Sequence, residues 1–287
     1  MKTVFFCLVF CLFSFTTLLA QTSSDIFVFE LEISADKVAL RNGKNLTNRE
    51  GYDNQPHFVE DHALLYTSQR GNQTDIFAYN FLTQSFGNLT QTSTSEYSAT
   101  LTPDKKSFSV IMVEADGTQR LWKFPLQGGE PELVLDDIKP VGYHAWYNTR
   151  LALFVLGNPN TLQVADEITQ ESRVIAERIG RCLARVPGCG CISFVHKEPG
   201  KPWVIKSLEM NTMEITSLIE TPEGAEDYVW ISPNRLLISK GTKIYHADLS
   251  KGTGWVEIAD LSSEGIKSLS RMAVDFSGKR LAVVGEM

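Results

Sequence analysis

Six short segments of the chain repeat one pattern: a half-apolar run, a tight polar turn, then a strongly apolar run of strand length. They are His57 to Tyr66 turning at Glu60-Asp61, Thr100 to Val110 at Pro103-Asp104 and Ala145 to Val155 at Asn148-Thr149. The other three are Ala184 to Val195 at Pro187-Gly188, Val229 to Ser239 at Pro233-Asn234 and Val274 to Val284 at Ser277-Gly278. Each predicts a β-hairpin, because its turn residues supply the backbone angles a tight reversal needs. Measured between Glu60, Pro103, Asn148, Pro187, Pro233 and Ser277, the pattern recurs after 43, 45, 39, 46 and 44 residues. A period in that range is the length of a four-stranded propeller blade.

Two further strands follow each hairpin. Alternating runs appear at Asp75 to Tyr79, Gln119 to Phe124, Thr161 to Val164, Trp203 to Leu208 and Thr242 to His246. Edge strands are then expected at Gly87 to Thr90, Pro131 to Val134, Ser172 to Ile175, Glu214 to Leu218 and Trp255 to Ile258. The sixth hairpin ends at Met287, and the missing pair stands at the other terminus. There Asp25 to Leu31 repeats the third-strand pattern and Gly43 to Thr47 the edge pattern. The fold class is therefore all-β, a six-bladed β-propeller of four-stranded blades whose last blade is closed by strands from both termini. Such closure leaves no blade open at the seam of the ring.

The stretch from Glu50-Gly51-Tyr52-Asp53-Asn54-Gln55-Pro56-His57-Phe58 through Ala63 to Gly71, Asp75-Ile76-Phe77 and Asn88-Leu89-Thr90 resembles the TolB-type, WD40-like (PD40) propeller repeat. The hallmark also stands in Leu101-Thr102-Pro103-Asp104, Trp230-Ile231-Ser232-Pro233-Asn234 and Asp275-Phe276-Ser277-Gly278-Lys279, and is eroded around Tyr147-Asn148-Thr149 and Arg185-Val186-Pro187-Gly188. The resemblance implies a propeller of the bacterial envelope that binds a protein. Related propellers also precede the catalytic domain of prolyl-oligopeptidase-type serine peptidases, but no Gly-x-Ser-x-Gly nucleophile elbow occurs here.

Residues 1–20 read as a signal peptide. Lys2 supplies a positive start, Val4 to Phe15 is almost wholly apolar, and Ala20 is a small residue for cleavage before Gln21. Residues 21–287 are then expected to form a single propeller domain, exported to the periplasm or beyond, with no membrane insertion of the mature chain. The 287-residue sequence carries 27 Lys and Arg against 34 Asp and Glu, a formal charge of −7. That balance argues against nucleic acid as a partner, because phosphate binding needs a cationic surface. Three Asn-x-Thr sequons begin at Asn45, Asn72 and Asn88, and two of them belong to the edge-strand motif itself.

No catalytic constellation stands out. The histidines His57, His62, His144, His196 and His246 lack metal-ligand spacing, and no metal or cofactor is expected. The carboxylate pairs Glu60-Asp61, Asp136-Asp137 and Glu226-Asp227 are adjacent in sequence, so on a strand they point to opposite faces. Cys182, Cys189 and Cys191 leave open an unpaired set, one disulfide with a spare thiol, or a zinc site with His196.

The strongest location for a site comes from geometry, since residues leading into the innermost strands crowd the mouth of the channel. Placed five to seven positions before the turns, those residues are Asn54, Gln55, Tyr97, Tyr143, Arg181, Asp227, Tyr228 and Arg271. Their mix of aromatic, amide and charged groups suits a peptide or small polar ligand. The expectation is a monomeric, non-enzymatic envelope protein recognising a protein or peptide there. The alternative is a lactonase-like or glycan-cleaving hydrolase working in the channel.

Overall fold

The computed structural model of the chain describes residues 23–287; the expected signal peptide lies outside the described residues. Every one of the six turn landmarks falls at the reversal between the first and second strands of a four-stranded antiparallel sheet. Blade 1 comprises Asp53–Glu60, Ala63–Arg70, Gln73–Asn80 and Ser85–Asn88. Blade 2 comprises Ser95–Leu101, Ser107–Val113, Gln119–Pro125 and Glu132–Leu133. Blade 3 comprises Val141–Tyr147, Arg150–Val155, Thr161–Asp166 and Ser172–Glu177. Blade 4 comprises Ile179–Arg185, Cys191–His196, Val204–Glu209 and Ile215–Glu220. Blade 5 comprises Tyr228–Ser232, Arg235–Lys240, Lys243–Asp248 and Val256–Asp260. Blade 6 takes Ser268–Val274 and Arg280–Glu286 from the C-terminus, then Ser24–Ile33 and Val38–Asn45 from the N-terminus. The fold is thus an all-β six-bladed propeller, closed in its last blade by both chain ends, as the repeat predicts.

Three edge strands differ from expectation. In blade 1 the edge is Ser85–Asn88 rather than Gly87 to Thr90, so Leu89 and Thr90 lie past the ladder. In blade 2 the edge shrinks to Glu132–Leu133, since Pro131 has no N–H to give a ladder. In blade 6 the edge strand is Val38–Asn45 rather than Gly43 to Thr47, because it starts directly after the Ser34–Lys37 turn and pairs Val38 with Ile33. Leu46 and Thr47 then leave the ladder but still hold the neighbouring strand.

That hold explains the repeat motif physically. In blade 6 the Asn45 Nδ2 donates to Asp25 Oδ2 at 2.7 Å, and the Ile26 N–H donates to Thr47 Oγ1 at 3.0 Å. Blade 1 repeats the device: Asn88 Nδ2 donates to Asp75 Oδ2 at 2.6 Å and the Ile76 N–H to Thr90 Oγ1 at 3.0 Å. The Asp–hydrophobic pair and the Asn-Leu-Thr edge therefore form one hydrogen-bonded clasp, satisfying backbone donors that the edge ladder no longer reaches. Two of the three sequon asparagines are spent in this clasp.

Apolar side chains of neighbouring blades meet in six clusters, one between each adjacent pair. Phe58, Leu64 and Phe77 of blade 1 meet Ile26, Ala282 and Val284 of blade 6, for example, and Phe194 and Ile192 of blade 4 meet Phe154 and Leu162 of blade 3. Among the described residues no helix is long and apolar enough to cross a membrane.

The cysteines depart from an unpaired set and from a pairing with Cys182. A disulfide joins Cys189 to Cys191 in the hairpin turn of blade 4, and Cys182 is free. The pairing of Leu183 with Phe194 turns Cys182 away from that turn, toward the Tyr228 carbonyl, to which its thiol donates at 3.3 Å. Burial, followed by the nearby Asp227 carboxylate, pushes that thiol up to about 12.

Ring closure through the N-terminal strand predicts a sharp asymmetry between two substitutions. Phe27 is 2% exposed and pairs with Val283 across the seam, so Phe27→Ala should cost about 3–5 kcal/mol in denaturant unfolding. Leu82, 75% exposed, should change stability by no more than about 0.5 kcal/mol as Leu82→Ala. Equal effects would refute closure by the N-terminal strand.

Candidate functional site

The first strand of each blade is the innermost, and together the six strands wall an axial channel of about 570 Å³. Five of them break register near the mouth, at Asn54/His57, Tyr97/Thr100, Val141/Tyr143, Ile179/Leu183 and Ser270/Met272. Such bulges turn a side chain out of its ladder direction. Three of the bulges hold a non-glycine residue in the left-handed region: Gln55 at φ 55°, Ser98 at 57° and Arg271 at 35°. Left-handed residues of this kind cost energy that the surrounding structure must repay, and they concentrate at functional sites.

Four of the eight candidate residues come together as one hydrogen-bonded cluster drawn from four blades. Arg181 of blade 4 donates to Asp227 Oδ2 at 2.6 Å, and Arg271 of blade 6 donates to Asp227 Oδ1. Arg271 also donates to the Tyr143 hydroxyl at 2.5 Å, and its guanidinium lies 4.6 Å from the centre of the Tyr143 ring. Burial alone would raise the Asp227 carboxyl, but Arg271 and Arg181 outweigh it and hold the group below the usual carboxylate range. Burial likewise opposes the Arg181 charge, and the bond and charge of Asp227 overcome it. Asp227 is therefore held in its ionised form as a strut between the two guanidiniums.

The other four take separate places. Gln55 lines the channel, where its Oε1 accepts from Thr67 Oγ1 at 2.8 Å and the Ser98 N–H at 3.0 Å. Asn54 turns back to accept the Gln55 N–H. Tyr97 packs against the apolar cluster between blades 2 and 3. Tyr228 is buried in the wall, with its hydroxyl donating to Ser193 Oγ at 2.8 Å.

Several residues at the site were not singled out from the sequence. Glu226, seven positions before Pro233, satisfied the same offset; it accepts the Arg181 N–H at 3.0 Å and pairs with Lys197 at 2.8 Å. Tyr52 lies just outside that offset and sits close enough to Tyr143 and Arg271 to feel their charges, its hydroxyl pushed up by burial first. His57 and His144 line the channel interior. His144 Nε2 shares a 2.6 Å hydrogen bond with Ser109, which also accepts the Trp146 indole N–H at 2.8 Å, and Nδ1 has no partner. Blade 5 copies the arrangement, with Ser193 accepting from Tyr228 and from the Trp230 indole at 2.9 Å. Among the described residues no group of three or more His, Cys, Asp or Glu side chains is placed to hold a metal ion.

No protein-family model and no curated protein matches the sequence. Solved structures match the fold. A TolB-like protein of Agrobacterium tumefaciens superposes with a TM-score of 0.72 at 13% identity, covering 93% of this chain and 99% of that one. TolB of Acinetobacter baumannii gives 0.58 at 11% identity over 92% of this chain and 64% of its own. Oligogalacturonate lyase of Vibrio parahaemolyticus gives 0.54 at 12% identity, over 93% and 98%. The likeness to TolB-type propellers is thus one of fold, at low identity and high coverage, and the same fold serves a lyase.

Two predictions follow from the electrostatics. Replacing Asp227 by Asn strips the buried Arg271 of its one ion-pair partner among the described residues and Arg181 of its nearer one, and should lower stability by about 3–5 kcal/mol, measured by urea unfolding. Burial depresses His57 to about 4 and His144 to about 3. The unfolded chain takes up these protons below about pH 6.5 while the folded chain does not. Stability should therefore be fully present at neutral pH and fall as pH drops from about 6.5 toward 4, by up to about 1.4 kcal/mol per pH unit for each histidine. A His57→Gln/His144→Gln double variant should flatten that slope; an unchanged slope would assign the pH dependence elsewhere.

Proposed function

We propose that this chain is an exported binding propeller of the bacterial envelope that recognises a protein or peptide partner at the channel mouth. The carrying observation is the Tyr143–Arg271–Asp227–Arg181 cluster, which gathers side chains from four blades at one end of the channel on a strained backbone. Its chemistry is that of recognition. A fixed aromatic face and two oriented guanidiniums are the groups that dominate protein interfaces, and their rigidity lowers the entropy cost of binding. Glycoside hydrolysis by paired carboxylates needs one carboxyl that carries a proton, and Asp227 is held ionised by its two arginines. The apolar leader at residues 1–20 and the TolB-type repeat support an envelope location.

The partner should be captured from envelope extract by the tagged mature chain. Tyr143→Ala and Arg271→Ala, verified as folded by circular dichroism, should each weaken capture at least tenfold. Capture that is indifferent to both substitutions would defeat the reading, and turnover of a lactone or glycan by the purified chain would replace it with the hydrolase.

A further inference from the structure

The channel has an electrostatic character opposite to that of the chain. The protein carries a formal charge of −7, yet the channel wall holds Lys105, Arg181, Arg185 and Arg271 and, among the described residues, no Asp or Glu. The cations fall into two groups. Arg181 and Arg271 stand at the mouth, where Asp227 and Glu226 behind the wall offset part of their charge. Lys105 and Arg185 stand at the opposite end, at the hairpin turns, and neither makes an ion pair among the described residues. Lys105 and Arg185 are thus left without a counter-charge at one end of a narrow axis, and low-dielectric walls concentrate their field inside the channel. The arrangement is stabilised when a negative ligand occupies it.

Resting on the reading of the mouth as a peptide-binding site, we propose that the channel takes an extended acidic peptide segment, whose carboxylates meet the arginines at the mouth and the Lys105–Arg185 pair at the far end. Arg181 lies near the start and Arg185 at the end of the strand Ile179–Arg185, four residues apart, so their backbone positions are at most about 13 Å apart along it at about 3.3 Å per residue. An extended peptide covers that distance in about four residues. The fitting ligand therefore carries Asp or Glu about four positions apart, with uncharged residues between them. The intervening wall favours peptide over anionic saccharide. It is largely apolar, and the indoles of Trp146 and Trp230 are buried, so they offer no open face for a sugar ring. At the far end Phe276 is 60% exposed, with Lys105 at 5.7 Å from its ring centre, an apolar and cationic pair suited to an acidic segment with one large side chain.

The test is selection of a random dodecapeptide display library on the immobilised mature chain, followed by fluorescence anisotropy of the enriched peptides. Enriched sequences should carry an excess of Asp and Glu about four positions apart. Their affinity should fall at least tenfold for the Lys105→Glu/Arg185→Glu double variant, and again when NaCl is raised from 50 to 500 mM, as screening of the channel field requires. Peptides without acidic enrichment, or affinities unchanged in the double variant, would overturn the proposal. So would a uronate oligosaccharide that binds at the channel more tightly than any selected peptide. Because the double variant leaves Tyr143 and Arg271 untouched, partner capture that survives it but fails with Arg271→Ala would keep the mouth as the site and reject only the acidic segment.

Discussion

The interaction on which everything else depends is the packing of each twisted sheet face against the next blade. The apolar residues do not converge on a centre; they form six wedges, such as the one joining Phe58 and Phe77 to Ile26 and Val284. Twisted sheets packed face to face around an axis leave their inner edges facing one another, and that is the origin of the channel. The channel is a consequence of where the core is, and its lining is released from packing duty and free to carry charge.

This division of labour explains why the polar groups cluster as they do. Within the wedges, buried polar groups are engaged in repeated devices, the Asp–Asn–Thr clasp at the outer edge and the serine that accepts an indole N–H from the next blade. At the channel, the register breaks allow Gln55, Ser98 and Arg271 to adopt left-handed backbone and leave their ladders. The same bulge geometry that interrupts the sheet therefore delivers these side chains to the channel mouth.

Much of the architecture was legible from residue order because each blade is a local unit of about 43 residues and its hairpin turns are punctuated by Pro, Gly, Asn and Asp. Even the seam could be read, since complementary half-blades stand at the two ends of the chain. Boundaries were less legible where tertiary contacts outweighed pattern, as at Val38–Asn45, whose start is set by the Ser34–Lys37 turn. The cysteines were ambiguous because three thiols within ten positions admit several pairings, and only the strand register separates Cys182 from the other two.

By itself the sequence determined the ring: six units, four strands each, closed by both termini, with a candidate rim read from an offset of five to seven positions before each turn. That offset depends on strand length and direction, which are local properties. Only the tertiary structure decided which rim residues meet. Arg181, Asp227, Arg271 and Tyr143 are separated by up to 128 positions and by blade boundaries, and Tyr97 and Tyr228 share their offset yet point into packing or a wall hydrogen bond. The sign of the channel was also invisible in composition, because a net charge sums over all surfaces while a channel displays only the few side chains that the bulges and turns present to its axis.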